Sequence, residues 1–477
     1  MSAAQLLTLS PLLVVSGTVT LVLFVVAVRR KHLLTATLTA AGLLVALCTL
    51  PMVYRMLPGP MISLITVDGY AIFFMGLLFA ASLAVTLMSY QYLEQQKANP
   101  DEYYVLMLLA TLGSAVIVVS THFVSFFLGL EILSVSLYAL IAYTSGLFRT
   151  EAGIKYLILA AASDAFLLFG IALIYAETGT MEFARMGPAI AGGHLALLLP
   201  GTALFVVGLG FKLSLVPFHM WTPDVYQGAP APVTAFLASV SKGAVFAVML
   251  RYFTEMDIHS HDSLVPAFTL IAIASMFVGN LLALLQNHVK RILAYSSIAH
   301  LGYLLVALVA GGELAVTAAG YYLAAYFVTI IGAFGVIAWL SEGETEADAI
   351  DSYRGLVWKR PWVAGVFIVM LLSLAGIPLT AGFVGKFYVM AAGIGATLWL
   401  LIVSLVVSSV IGLFYYLRVV ALMFTRVTDD EEVAITPRAG AMAAGVVLAM
   451  LTLILIWLGT YPAPLIDIIR KTVVHLT

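Results

Sequence analysis

Long apolar segments recur along the whole chain, and their length limits its possible folds more than any other feature. An α-helix rises 1.5 Å per residue, so about 20 residues carry it across the hydrocarbon core of a bilayer. Fourteen segments of roughly that length or more are read, at 5–28, 33–53, 69–92, 103–120, 122–143, 152–175, 196–223, 231–253, 264–285, 290–309, 314–340, 361–391, 395–423 and 439–459. The longest polar stretches between them, about 341–360 and 427–438, are too short to fold as separate domains. With 63% hydrophobic and only 10% charged residues among 477, the chain falls outside the soluble globular class. The predicted fold is all-α and integral to the lipid bilayer, with about 14 transmembrane helices. A net charge of -2 offers nucleic acid no basic face, and the single cysteine, Cys48, excludes a disulfide framework and a cysteine-ligated iron–sulfur cluster within the chain.

The first segment has no basic stretch ahead of it and is followed by Arg29, Arg30 and Lys31, the reverse of a cleaved secretory signal. Loop cations then set the orientation. One side carries Arg29, Arg30, Lys31, Lys97, Arg149, Lys290, Arg291, Arg354, Lys359, Arg360, Arg426 and Arg438; the other carries Arg55, Arg185, Arg251, Arg470 and Lys471. The richer side belongs in the cytoplasm, which puts both termini outside it.

The remaining basic residues lie inside the spans: Lys155, Lys212, Lys242, Lys386 and Arg418. A charge at the bilayer centre costs about 2.5–3.5 kcal/mol on insertion scales, so such residues face a protein interior or a water-filled path. Lys155 and Arg418 are near enough to helix ends to extend their stems to the interface. Lys212, Lys242 and Lys386 are too deep for that. Among the acidic residues only Glu131 and Asp164 sit well inside spans. Asp164 follows Lys155 by nine residues, on the opposite helix face and about 13 Å along, so the two cannot pair. Glu131 is expected to meet a lysine of a neighbouring helix, and Asp164 to serve as an interhelical hydrogen-bonding group. Burial disfavours a charge and an opposite charge nearby favours it, so a lysine beside a movable carboxylate can be switched between holding and releasing a proton. Arginine, always charged, could not do this. His219 and His300 lie within or at the end of apolar segments, and Tyr295, Ser296, Ser297 and Tyr303 surround His300 with hydroxyls, a polar lining suited to proton transfer.

Two segments carry helix breakers beside a lysine. Pro217 follows Lys212 by five residues, and Gly376 and Pro378 interrupt the twelfth segment ahead of Lys386. Proline removes a donor and clashes with the preceding turn, and irregular backbone at membrane depth is tolerated only where protein or water satisfies it. The seventh and twelfth segments are five apart and cross in opposite senses, the pattern of an inverted repeat around a pathway. The division expected is three N-terminal helices in 1–100, a first five-helix repeat in 101–257, an inverted repeat in 258–427, and a last helix with its tail in 428–477. Glu131 and His300 then occupy corresponding helices.

The stretches LGLEILSVSLYALIAYTS, EAGIKYLILAAASDAF, GFKLSLVPFHMWTPDVYQGAPAPVTAFLASVSKGAVF, KRILAYSSIAHLGY and LAGIPLTAGFVGKF, spread over about residues 100–425, resemble the N-type antiporter-like subunits of proton-translocating NADH-quinone oxidoreductase, respiratory complex I. The resemblance implies a fourteen-helix antiporter-like fold with Glu131, Lys212, Lys242 and Lys386 on the proton path and Lys155 and His300 as accessories; His219 and Tyr295 join them from the polar lining. It implies quinone, FMN and iron–sulfur clusters in partner subunits and none in this chain, and L-type, M-type and small membrane subunits as neighbours. The location implied is the inner (cytoplasmic) membrane, or the thylakoid for the photosynthetic relatives. Lys386 differs from the glutamate of the M type, and no long amphipathic helix follows residue 460 as in the L type. The alternative is a subunit of a multisubunit sodium/proton antiporter without redox activity; a third reading is a scaffold whose buried charges only join helices. Gly385–Lys386 is no phosphate loop, and GLG at 208–210 lacks the third glycine of a dinucleotide fingerprint.

Overall fold

The computed structural model describes residues 3–57, 64–96, 99–144, 146–191, 196–257, 263–343, 345–426 and 441–473. Lys97, Arg438 and the polar stretch 427–438 lie outside the described residues. Among those described, the structure is helical throughout, with only isolated β-bridges between loops.

After a short helix at Ala3–Thr8, the first six helices of membrane-crossing length run α1 (Ser10–Val28), α2 (His32–Tyr54), α3 (Gly69–Glu94), α4 (Asp101–Val119), α5 (Phe123–Ile141) and α6 (Leu147–Thr178). An interrupted pair follows, α7 (Leu198–Lys212) and α8 (Trp221–Gly228). Then come α9 (Ala231–Glu255), α10 (Leu264–Leu284), α11 (Val289–Ala310) and α12 (Gly312–Leu340). A second interrupted pair is α13 (Pro361–Ala375) and α14 (Ala381–Gly395), followed by α15 (Trp399–Met423), α16 (Ala441–Thr460) and α17 (Ala463–Val473). Among the described residues, twelve helices are long and apolar enough to cross a membrane, against fourteen segments read from the sequence. The difference is the two interrupted segments, whose pieces are each too short alone.

Both interruptions fall at the expected breakers. α7 stops at Lys212, and the chain runs irregularly past Pro217 until Trp221. α13 stops at Ala375, where Gly376 turns to φ 83°; its N–H bonds Ser373 O and that of Ile377 bonds Leu372 O, a glycine-closed helix end.

A helix apolar on every side belongs in the interior of a bundle. α9 and α11 are buried over the whole of their apolar windows and α12 over 83%, whereas α1, α2 and α16 are buried over only a third. The three interior helices form the centre of the bundle. Small residues bring neighbours close: a Cβ on Gly113 would lie 2.6 Å from Leu133 N, one on Gly170 2.6 Å from Phe205 N, and one on Gly279 2.7 Å from Tyr295 O. These contacts join α4 to α5, α6 to α7 and α10 to α11, by the close packing that substitutes for a hydrophobic driving force in lipid.

Candidate functional site

Lys212 ends α7, and its ammonium turns into the bundle. Its Nζ lies 2.8 Å from Asp164 Oδ1 and donates to Oδ2 at 2.9 Å and to Ser134 Oγ at 2.9 Å, with the two charged side chains only 4% and 8% exposed. Asp164 comes from α6 and Ser134 from α5, so three helices meet at one ion pair. This corrects the expectation that Glu131 would be the lysine's partner. Glu131, one turn before Ser134, is half-buried and close enough to interact electrostatically with both Asp164 and Lys212, without a hydrogen bond among the described residues. The physical reason is rotation: facing across α6 and α7 is set by how the helices turn toward each other, which spacing along one helix does not reveal.

Lys242 is reached through a π-helical turn, Leu237–Ser241, that ends immediately before it. Such turns insert an extra residue and re-aim the side chains that follow. Lys242 is 1% exposed, donates to Ser297 Oγ at 2.8 Å and stands 5.2 Å from the centre of the Tyr226 ring. Ser297 also accepts from Tyr326 at 2.8 Å. His300, one turn further along α11, is bonded on both nitrogens: Nδ1 to Tyr322 OH at 2.7 Å and Nε2 to Tyr416 OH at 3.3 Å. Tyr416 is in turn bonded to Ser296. Beside His300 lies a cavity of about 10 Å³ lined by Tyr322, Tyr326, Thr329, Ser373 and Leu374 among others. That is about the volume one water needs, with hydroxyl and imidazole partners around it.

Lys386, 6% exposed, stands in the second turn of α14 and reaches Leu374, one of the residues lining this cavity. It donates to the carbonyls of Leu374 at 2.9 Å and Ala375 at 3.0 Å and to Ser409 Oγ at 2.8 Å. The break thus supplies the lysine's acceptors, the unused carbonyls at the end of α13. A Cβ at Gly376 would lie 2.9 Å from Lys386 Cδ, so glycine serves there for approach as well as for φ.

The other expected residues are placed differently. Lys155 has a side chain 42% exposed and pairs with Glu151 at 2.7 Å and Asp224 at 3.1 Å, near a bundle end. Arg418 donates to Leu284 O at 3.2 Å and to Gln286 O, closing the end of α10. His219 is buried in the first break and makes no side-chain hydrogen bond to any other site residue among the described residues. Tyr295 is buried, but takes no part in the network among the described residues. Pro217, Gly376 and Pro378 all fall in the breaks.

Three cations read as loop charges are in fact interior: Arg149, Arg251 and Lys290 are 7%, 2% and 0% exposed. Arg251 makes a two-pronged pair with Asp68, at 2.9 and 2.8 Å. Burial pushes the Asp68 carboxyl up, but the Arg251 guanidinium and the Ala71 N–H it accepts outweigh this and hold it below its ordinary value. Lys290 donates to the carbonyls of Gln227 and Ala229 and pairs with Glu346 of the loop after α12. Glu346 also accepts from Tyr92 OH at 2.6 Å and Ala231 N at 2.9 Å. The acidic run GETEAD beside this helix end was the available signal. Among the described residues, no group of three or more His, Cys, Asp or Glu is placed to hold a metal ion.

A family described as "NADH:quinone oxidoreductase/Mrp antiporter, TM" matches residues 120–412. The NADH-quinone oxidoreductase subunit N of Ectopseudomonas mendocina (strain ymp) is 48% identical over 478 residues, covering 98% of this chain and 97% of that protein. Among solved structures, a chain of respiratory complex I from Thermus thermophilus with bound aureothin is 32% identical, with a TM-score of 0.81 over 96% of this chain and 98% of that one. A chain of the Mrp complex from Dietzia sp. DQ12-45-1b, 21% identical, superposes with a TM-score of 0.86 over 100% and 98% of the two chains and shares the fold.

Proposed function

Since the chain belongs to the family of NADH:quinone oxidoreductase and Mrp antiporter membrane subunits, we propose that it is the N-type proton-translocating subunit of a respiratory complex I. In this reading it holds no redox centre. Quinone reduction in partner subunits drives proton transfer through its buried side chains, and its neighbours are the L-type, M-type and small membrane subunits of the inner membrane. Both termini lie outside the cytoplasm, and residues 101–257 and 258–427 form two inverted halves, each with one broken helix.

A proton taken up from the cytoplasm near the first half resides on Lys212, balanced by Asp164 with Glu131 close by. It passes to Lys242, then by way of Ser297 and Tyr326 to the surroundings of His300. An imidazole bonded on both nitrogens can accept on one and release from the other. The water-sized cavity links His300 to the Leu374 carbonyl that holds Lys386, from which the proton leaves on the far side. Lys155 and His219 are accessory to uptake, and Tyr295 to the lining of α11.

One observation carries this reading. From Lys242 to the acceptors of Lys386, polar groups follow one another at hydrogen-bond spacing or across a single cavity, all of them buried. The test is Lys242→Ala in the assembled complex, reconstituted in vesicles, with quinone reduction and the pH gradient followed together. Assembly with pumping reduced at least several-fold supports the path, and normal pumping overturns it. A complex that does not assemble favours the scaffold, and sodium-dependent exchange without quinone reduction favours the antiporter.

A further inference from the structure

A groove with a cavity volume of about 490 Å³ opens on the outside of the bundle, between α2, α3, α12 and α17, with none of Lys212, Lys242 and Lys386 in its lining. That volume is within the roughly 300–1,000 Å³ of small-molecule sites. Its walls are apolar, with Leu50 and Phe73 among them, and its floor is opened by Gly76. A Cβ at Gly76 would meet only Leu50 Cδ1, at an ordinary 3.5 Å, so the space there is not filled by the protein's own packing.

The mouth has a different chemistry. Tyr54, 41% exposed, ends α2, and Lys471 and Thr472 come from α17. α17 is amphipathic, with Ile469 buried against the bundle and Ile468, which lines the groove, 53% exposed. Such a helix lies at the level where hydrocarbon meets headgroups. A Cβ on Gly69 would strike Thr472 O at 2.3 Å, so the end of α17 sits directly on the start of α3 and fixes Lys471 at the rim. Arg55, Arg470 and Lys471 are all exposed at this end and make no ion pair among the described residues. The acids nearby do not neutralise them: Asp68 is engaged by Arg251, and Asp467, one turn before Lys471, makes no ion pair with it.

An apolar slot beneath unpaired cations at the membrane surface matches one kind of occupant. We propose that this groove binds an anionic glycerophospholipid, with an acyl chain over Gly76 between Leu50 and Phe73 and its phosphate at Lys471. A transmembrane helix of a neighbouring subunit could fill the apolar part, but would leave three cations without a counter-charge.

The test uses the assembled complex in vesicles of phosphatidylethanolamine and phosphatidylglycerol. Photoreactive benzoylphenylalanine is placed at position Ile468, the sample is irradiated, and adducts on the α17 peptide are weighed by mass spectrometry. The proposal expects phosphatidylglycerol adducts enriched several-fold over that lipid's share of the vesicle, abolished by Gly76→Phe and brought to the bulk ratio by Lys471→Gln. If Gly76→Phe does not assemble, Lys471→Gln decides alone, since that side chain is exposed. Adducts in bulk proportion in the unaltered chain, meaning annular lipid only, overturn the proposal. So do adducts to a partner subunit.

Discussion

At the first interrupted helix Lys212 stands ahead of the break and faces the carboxylate of Asp164; at the second, Lys386 stands beyond the break and reaches back to the carbonyls of Leu374 and Ala375. Both ammonium groups are buried, yet one is balanced by a counter-ion and the other by the buried carbonyl end of a helix. A carboxylate can be protonated, shifted or exchanged for another, and Glu131 is close by. A main-chain carbonyl can do none of these. The first site is therefore adjustable by side chains, while the second is set by the backbone.

Six substitutions test this difference. The largest effect is expected from Asp164→Ala, which leaves a buried ammonium unpaired at a cost of about 3–5 kcal/mol. Thermal unfolding of the assembled complex should show it, with most of the loss restored by adding Lys212→Ala and little loss from Glu131→Ala. Equal losses at Asp164 and Glu131 would break the comparison. At the second site Gly376→Ala forces a side chain into positive φ, at about 1–3 kcal/mol, and presses on Lys386. Pumping should fall while quinone reduction persists, and unchanged pumping would mean that the backbone does not set this lysine. Ser409→Ala removes one of three acceptors and leaves the two carbonyls, so a loss of about 1 kcal/mol in the same unfolding measurement is expected.

The smallest effect sharpens the contrast through acid. Asp68 is a counter-ion like Asp164, outside the apolar spans, and Arg251 holds its carboxyl below the ordinary 3.8. A depressed folded value means that the pair's stabilisation is fully present above about pH 4 and is lost as the pH falls through the folded value. Melting temperature followed from pH 6 to 3 should fall more steeply for the unaltered chain than for Asp68→Asn. Parallel curves would remove Asp68 from the account.

Much of the fold was legible because its causes are local. A lysine in an apolar run, a proline five residues after it, and a glycine ahead of Lys386 act where they stand, and the breaks fall there. Lys242 and His300 were legible for the same reason. What the sequence concealed depends on how helices face each other. Asp164 was visible as a second intramembrane carboxylate, but its partner lies across the α6–α7 contact, and the π-helical turn in LASVS has no breaker to announce it. Tyr322, Tyr326 and Tyr416 resemble any other membrane aromatics until His300 and Ser297 are seen against them. Lys290 sits at the edge of a span, and the folded-back loop after α12 buries it together with the carbonyls of Gln227 and Ala229.

That loop has a mechanical consequence. Through Glu346 alone, α3 is tied by Tyr92, the start of α9 by Ala231, and α11 by Lys290. One carboxylate is thus the keystone of three helices far apart along the chain. No one of them can slide or tilt at this end without letting go of a bond shared with the other two, so displacement here is collective, and a swing of one of these helices against the others must either turn about this point or first pull it out.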